Sequence, residues 1–451
     1  MTRADTGTER DRAGGTQRWV TRAIIAVAVL TLIGLGFLWP RGEAPDLGIQ
    51  PTQYVDAEVI QVERDVCDAV EADALTGCYR IEVLLTSGPE EGDEGVFLIR
   101  DTDFAVPEVD VGDQVVLLDV PTSPPPFRYT FSDFQRATPM WWLLGLFVAA
   151  VVAVGRWQGL RALAGLAGSG VIIVIFLVPA LIRSESAVLV ALTASAAIAF
   201  LAFYLAHGVN PATTVALAGT LVSLAVITLL ALVGTEAASL SGLASEEAQA
   251  LRVTAAALDL RGLLIAGIVI GALGVLDDVT VTQVSTVAAL KRANPRLDRV
   301  EAYRGAMQVG RDHVASVVNT LILAYAGAAL PLVLLFSQGA VPTGRLITSE
   351  IIAVEIVRMI VGSIGLILSV PITTALAAAV LTGREEVHPG HDHGFGAAGA
   401  VELDDTLAVE PRPATAEAGS VGDEIGEGGE GGTGDVEDVG WDDFGPREDP
   451  I

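Results

Sequence analysis

The sequence predicts a polytopic α-helical membrane protein of about eight transmembrane helices, with a small extracytoplasmic β-rich (OB-like) domain and a disordered acidic C-terminal tail. Three observations predict it. Hydrophobic residues make up 51% of the chain and mean hydropathy is +0.53, yet the formal net charge is -28, a combination that one uniform soluble domain does not show. The charge is segregated: residues 41–136 hold 21 acidic against 6 basic residues, residues 383–451 hold 19 against 3, and the rest is slightly basic. That remainder carries repeated apolar runs of about 20 residues, the length that a hydrocarbon core of about 30 Å demands.

Residues 1–20 form a basic arm, with Arg3, Arg10, Arg12 and Arg18 before the first run and Arg22 at its start. Basic residues stay on the cytoplasmic side, so the N-terminus is expected inside. The run 21–39 is longer than the roughly 7 to 15 residues of a signal-peptide core. Its exit, Trp39 to Pro45, lacks a small-x-small cleavage site, so an uncleaved anchor is expected.

Residues 40–137 read as the extracytoplasmic domain. Apolar and β-branched alternation in Tyr54 to Glu63, Tyr79 to Thr86, Gly95 to Arg100 and Gln114 to Asp119 predicts strands, with turns at Gly88, Gly92 and Gly112. Four or five such strands suggest a small barrel or sandwich. The acidic run Ser87 to Gly95 lacks the ligand spacing of a calcium loop and reads as a solvated hairpin. The chain's two cysteines, Cys67 and Cys78, lie here with ten residues between them. Outside the cytosol they are expected to pair, which stabilises by about 3 kcal/mol for a loop of this size; free thiols are the alternative. Without a nearby histidine they do not make a zinc site. Pro121, Pro124, Pro125 and Pro126 read as a stiff connector after the last strand, and Trp141 and Trp142 as an aromatic interfacial anchor.

Residues 138–382 are expected to form a bundle of seven spans near 138–155, 162–182, 187–206, 212–233, 262–282, 314–336 and 357–381. Arg156 and Arg161 then fall inside, as do Lys291, Arg292, Arg296, Arg299, Arg304 and Arg311 of one basic inner loop. That loop, Thr286 to Asp312, has a helical pattern suited to anionic lipid headgroups. The even number of spans returns the tail, 383–451, to the cytoplasm. Its Gly, Glu and Asp content forbids a core, and His388, His391, Asp392 and His393 read as incidental rather than as a metal site.

The chemistry centres on Asp277 and Asp278, adjacent carboxylates in an almost unbroken apolar segment between Arg261 and Lys291. A charge at bilayer depth costs about 2.5 to 3.5 kcal/mol, so the pair either meets water at the inner end of the span or serves a purpose. Asp278, Thr282 and Ser285 share a helix face, beside Asp277 and Thr280, and such a face of oxygen atoms suits a proton or a hard cation. Gly267 and Gly271, four apart, predict close helix packing. Glu355 and Arg358 form an i, i+3 pair, either in the membrane or on an outer interfacial helix running from Ile351 to Arg358. Pro371 predicts a kink or break in the last span. Asn319, Tyr325 and Pro331 read as packing groups and a second kink.

Enzymatic readings fare poorly. Both acids lie on one helix, whereas an intramembrane aspartyl protease needs them on two. Gly165 to Gly170 misses the Gly-x-Ser-Gly frame of a rhomboid nucleophile because Ala167 holds its first position. No Walker loop or dinucleotide motif occurs, so no enzyme, cofactor or metal is expected, and no nucleic-acid partner.

The stretches Gly271-Ala272-Leu273-Gly274-Val275-Leu276-Asp277-Asp278-Val279-Thr280-Val281-Thr282-Gln283 and Gly310-Arg311-Asp312-His313-Val314-Ala315-Ser316-Val317-Val318-Asn319-Thr320, behind an anchor and an outer β-rich module, resemble the YibE/F family of bacterial membrane proteins. The resemblance covers roughly residues 50 to 382 and implies a multi-pass plasma-membrane protein. By that pattern Asp278 lies closer to the family's acid than Asp277. A lone Lys among 27 basic residues suits a bacterial source rich in GC. Two functions are expected to compete: a permease moving a small solute or cation through an acidic site in the lipid bilayer, and an anchored protein whose outer domain binds a cell-envelope partner.

Overall fold

The computed structural model describes residues 5–42, 53–66, 77–100, 107–183, 186–255, 258–337, 344–345 and 348–382. Cys67, the histidines near the start of the tail and the tail itself lie outside them. Cys78 is disulfide-bonded, and Cys67 is the chain's other cysteine.

Five strands build the β-rich domain: β1 (Gln53–Val66), β2 (Gly77–Leu85), β3 (Glu94–Arg100), β4 (Gln114–Asp119) and β5 (Tyr129–Phe134). All pair antiparallel in the order β3-β2-β1-β4-β5. Alternate residues of the strands point inward, among them Val55, Ala57, Val59, Ile81, Val83, Phe97 and Val115, and form one apolar core. A register shift between Val59 and Gln61 lets the long β1 bend. The sheet curls until its edges meet: a Cβ on Gly95 of β3 would sit 3.2 Å from the Tyr129 ring of β5, and the Phe97 and Phe131 rings stack at 6.3 Å. The result is a half-barrel.

The proline run is not the connector that leaves this domain. It makes the turn from β4 into β5, where the Val120 N–H donates to the Arg128 carbonyl at 2.9 Å. The polar Ser132 and Asp133 hide the alternation of this edge strand. Just past the turn, Arg128 reaches Asp119 through Nε at 2.9 Å and Glu90 through Nη1 at 2.9 Å, while the Tyr129 hydroxyl donates to Glu90 at 3.1 Å. Burial, and then the bond to Glu90, push the Tyr129 phenol up to about 12. An unfolded tyrosine ionises near 10, so the stability tied to this phenol is complete below pH about 10 and is lost as pH rises toward 12. Tyr129→Phe is expected to remove one late phenol ionisation from the ultraviolet titration of the full chain; an unchanged titration would contradict the buried network.

The helices are α1 (Asp5–Leu38), α2 (Ala137–Ile172), a π-helical turn (Ile173–Leu177) leading into α3 (Val178–Arg183), α4 (Ala187–His207), α5 (Pro211–Ala237), α6 (Glu246–Thr254), α7 (Leu260–Ala293), α8 (Arg299–Ala328), α9 (Leu330–Ser337) and α10 (Glu350–Leu381). Among the described residues, six are long and apolar enough to cross a membrane: Gly15–Leu38, Ala137–Arg183, α4, α5, α7 and α10. The expected spans 138–155 and 162–182 both fall in the 47-residue stretch Ala137–Arg183, which is broken at Arg156 by a left-handed φ of 49°. Gly159 permits the reversal there, since a Cβ would collide with the Val151 carbonyl. Trp141 and Trp142 stand exposed at the start of α2.

Three further expectations change. The basic loop is mostly helix, as its pattern predicts, but the helix is continuous with the bundle: α7 runs on to Ala293 and α8 starts at Arg299, capped by Asp298 with Glu301. Ala302 and Ala306 are fully buried in the bundle core, so this segment packs on protein rather than lying free on headgroups. The expected span 314–336 is divided at Ala329, because Pro331 lacks the N–H that would continue α8. The last helix begins at Glu350 rather than 357, leaving no separate interfacial helix, and it passes Pro371 without a break. The proline takes the helical donor from the Ile367 carbonyl, while the neighbouring Ser369 and Thr374 hydroxyls bond back to the Leu366 and Val370 carbonyls.

The packed centre is made by α5, α7 and α10, with residues such as Leu217, Ile227, Val269 and Ala377 fully buried. Val20 and Ile24 of α1 join that core, so the first helix is part of the bundle as well as its anchor.

Candidate functional site

Asp277 and Asp278 lie midway along α7, about 25 Å from either end at about 1.5 Å per residue. The buried stripe of this helix is Leu273, Leu276, Thr280, Gln283, Val284 and Val287. Asp277 stands one step from it, half-buried, with Oδ1 shut off from solvent and without a hydrogen-bond partner among the described residues. Asp278, 100° further round the helix, has a 74% exposed side chain and places Oδ2 4.0 Å from Nε2 of His313 on α8. That nitrogen is itself buried without a hydrogen bond among the described residues.

The structure therefore separates the two acids. Thr282 and Ser285 do share the side of α7 that carries Asp278, half-buried, but no hydrogen bond ties either hydroxyl to Asp277 or Asp278 among the described residues. The acid closer to the resemblance pattern is the exposed one, and the buried, unpartnered oxygen belongs to its neighbour.

A second polar feature was missed by the sequence reading. On the stripe facing α5 and α10, the Thr280 hydroxyl meets that of Thr220 at 2.8 Å, and Thr374 donates to Gln283 Oε1 at 2.9 Å. Thr220, Thr280, Gln283, Thr373 and Thr374 are all at 0% exposure. Gln283 Nε2, Thr373 Oγ1 and Ser223 Oγ have no partner among the described residues, a state that costs about 1 to 3 kcal/mol per group unless water or a ligand fills it. The signal was present as hydroxyl residues seven apart, Thr213 and Thr220, in α5, and as Gln283 inside the motif. Such residues cost too little in an apolar run to stand out as carboxylates do.

Among the described residues Gly267 and Gly271 do not sit at a close helix contact. A Cβ at Gly267 would meet nothing within 4 Å, and one at Gly271 only the Tyr325 hydroxyl at 3.9 Å. They leave space. Gly267 lines a cleft of about 500 Å³ between the N-terminal ends of α7 and α10, the segment around α6, and the α8–α9 break. Glu355 and Arg358 line its floor with Tyr325, paired at 3.0 Å and each about one-third exposed. Below, Tyr325 and Arg358 also border a slit along Gly271 to Leu276, whose free volume of about 10 Å³ is too small for more than a single water. The slit ends one residue short of Asp277. Close helix approach is made elsewhere, by Gly219, Gly310 and Gly365.

A model of the family described as YibE/F-like protein matches residues 143–383, more than half of the chain. No curated protein and no solved structure matches.

Proposed function

The chain belongs to the YibE/F-like family, and from that premise we propose that this membrane protein is a permease of the bacterial plasma membrane, moving a small solute or ion with Asp277 as its coupling group. The observation that carries the reading is the Asp277 Oδ1 atom, buried without a donor halfway along a helix fit to span a bilayer. A carboxylate so placed is costly when charged and unpartnered, and is stabilised by taking a proton or a cation. Supporting it, the cleft and closed slit approach Asp277 from one end of α7, and the unpartnered hydroxyl and amide groups of α5, α7 and α10 lie just beyond it.

In this reading, proton or cation uptake at Asp277 neutralises a charge that opposes burial, so the bundle can close around it on one side and open on the other. Basic residues at the N-terminus and between α7 and α8 favour an orientation with both termini in the cytoplasm and the half-barrel outside. Flux decides the matter. In proteoliposomes of the full chain carrying an internal pH-sensitive dye, a gradient of transported solute is expected to move protons, or an imposed ion gradient to drive solute. A protein that moves neither, while folded and inserted, removes the permease reading and leaves an anchored protein whose half-barrel binds an envelope partner.

A further inference from the structure

The cleft above the slit has the composition of a small-molecule site: apolar walls and a few polar groups gathered at one end. Its walls are held in place. Glu350 accepts the N–H groups of Ser241 and Gly242 at 2.7 and 2.9 Å and the Ser241 hydroxyl at 2.7 Å. This fixes the segment that contributes Gly242, Ala244, Ser245 and Ala248 to the cleft. A Cβ on Gly242 would collide with the Leu260 carbonyl, so the segment is seated directly on the start of α7.

The floor is charge-balanced and unsaturated. Arg358 spends a single nitrogen, Nη1, on both oxygens of Glu355, at 3.0 and 3.2 Å. Its Nε and Nη2 have no hydrogen-bond partner among the described residues, and a guanidinium presents five donors in a rigid fork. Glu355 keeps lone pairs free on both oxygens. A lone anion entering here would meet Glu355, and a lone cation would meet Arg358. A molecule carrying both charges on neighbouring atoms meets a complement to each.

We propose that this cleft binds a free α-amino acid with an apolar side chain, its carboxylate on Arg358, its ammonium on Glu355 and its side chain against the aliphatic walls formed by residues such as Leu263, Leu264 and Leu332. The four charges then alternate, and the two groups of the ligand sit on one carbon, as the 3.0 Å spacing of the pair requires. The ligand shares Tyr325 and Arg358 with the slit that runs along α7 as far as Leu276. As the solute of a permease it rests on the reading above; as a bound ligand it is measured without flux.

Equilibrium binding to the full chain in nanodiscs tests it, with radiolabelled L-leucine, L-valine and L-phenylalanine as probes. At least one is expected to bind saturably, and isocaproate and isoamylamine, which each lack one of the two charges, to compete at least about tenfold more weakly. Gly267→Leu puts a side chain into the cleft from a position where an added Cβ meets nothing within 4 Å, so binding is expected to fall at least about tenfold with the protein still folded. Arg358→Gln and Glu355→Gln are expected to lose binding too. The proposal is overturned if none of the three amino acids binds saturably, if either single-charge analogue competes equally, or if Gly267→Leu binds as the parent does. Binding without transport of the bound amino acid leaves this site standing and counts against the permease reading instead.

Discussion

Replacing Gly365 by alanine is expected to destabilise the bundle by about 1 to 3 kcal/mol, and replacing it by leucine to prevent the bundle from assembling. A Cβ on Gly365 of α10 would collide with the Ile227 side chain of α5. Ile227 is fully buried in the main core cluster, so it has no solvent or lipid to retreat into. The contact is matched from the other side, where a Cβ on Gly219 of α5 would collide with Thr373 Oγ1 of α10. Two helices thus trade glycines for each other's side chains, and neither can move away without opening the centre. Close approach of this kind supplies van der Waals contact where lipid removes the hydrophobic drive between helices. Thermal unfolding in detergent, followed by size exclusion, checks it against Gly267→Ala and Gly274→Ala, whose added Cβ atoms meet nothing within 4 Å and which are expected to unfold no earlier than the parent. Equal unfolding temperatures for Gly365→Ala and these controls would show that α5 and α10 are not in the contact described.

The same comparison marks what the sequence can carry. Gly267 and Gly271 have the spacing of a packing motif, and Gly219 and Gly365 lie in different helices with no motif at all; only the neighbour across the interface decides which pair packs. The strands β1 to β4 were legible because alternation records burial on one face. The edge strand β5 was not, since its exposed side need not alternate. The acid pair was legible because a carboxylate in an apolar run is costly wherever it points. Which of the two is buried was not, because 100° of helix rotation separates them and the angle has meaning only against α5, α8 and α10. The hydroxyl and amide seam was hidden for a different reason: Thr, Ser and Gln satisfy part of their hydrogen bonding on their own helix, as Thr220 does with the Ala216 carbonyl, so they pass through hydropathy windows unmarked.

Asp277→Asn is expected to lower coupled flux by about 100-fold while leaving the protein as stable as the parent or more so, and Asp278→Asn to change flux by no more than a few fold. The asymmetry follows from what each carboxylate touches. Asp277 has a buried oxygen that no described group donates to, so its charge contributes nothing to holding the fold together, and an uncharged isostere removes a burial cost. A residue kept at a cost to stability, in a helix made for a bilayer, is expected to act through the proton or cation it exchanges; asparagine takes up no proton and brings no charge to balance a cation. Asp278 has an exposed side chain with Nε2 of His313 4.0 Å away, so it has a neighbour able to meet its charge that Asp277 lacks among the described residues. Losing it breaks one long contact with α8 and leaves the buried oxygen of Asp277 as it was. Flux and unfolding temperature must therefore move in different directions for Asp277 and hardly at all for Asp278. If Asp277→Asn transports like the parent, the buried carboxylate is not the coupling group; if it fails only because the protein unfolds, the acid is structural. Should Asp278→Asn be the variant that stops transport, the exposed pair with His313 takes over the role.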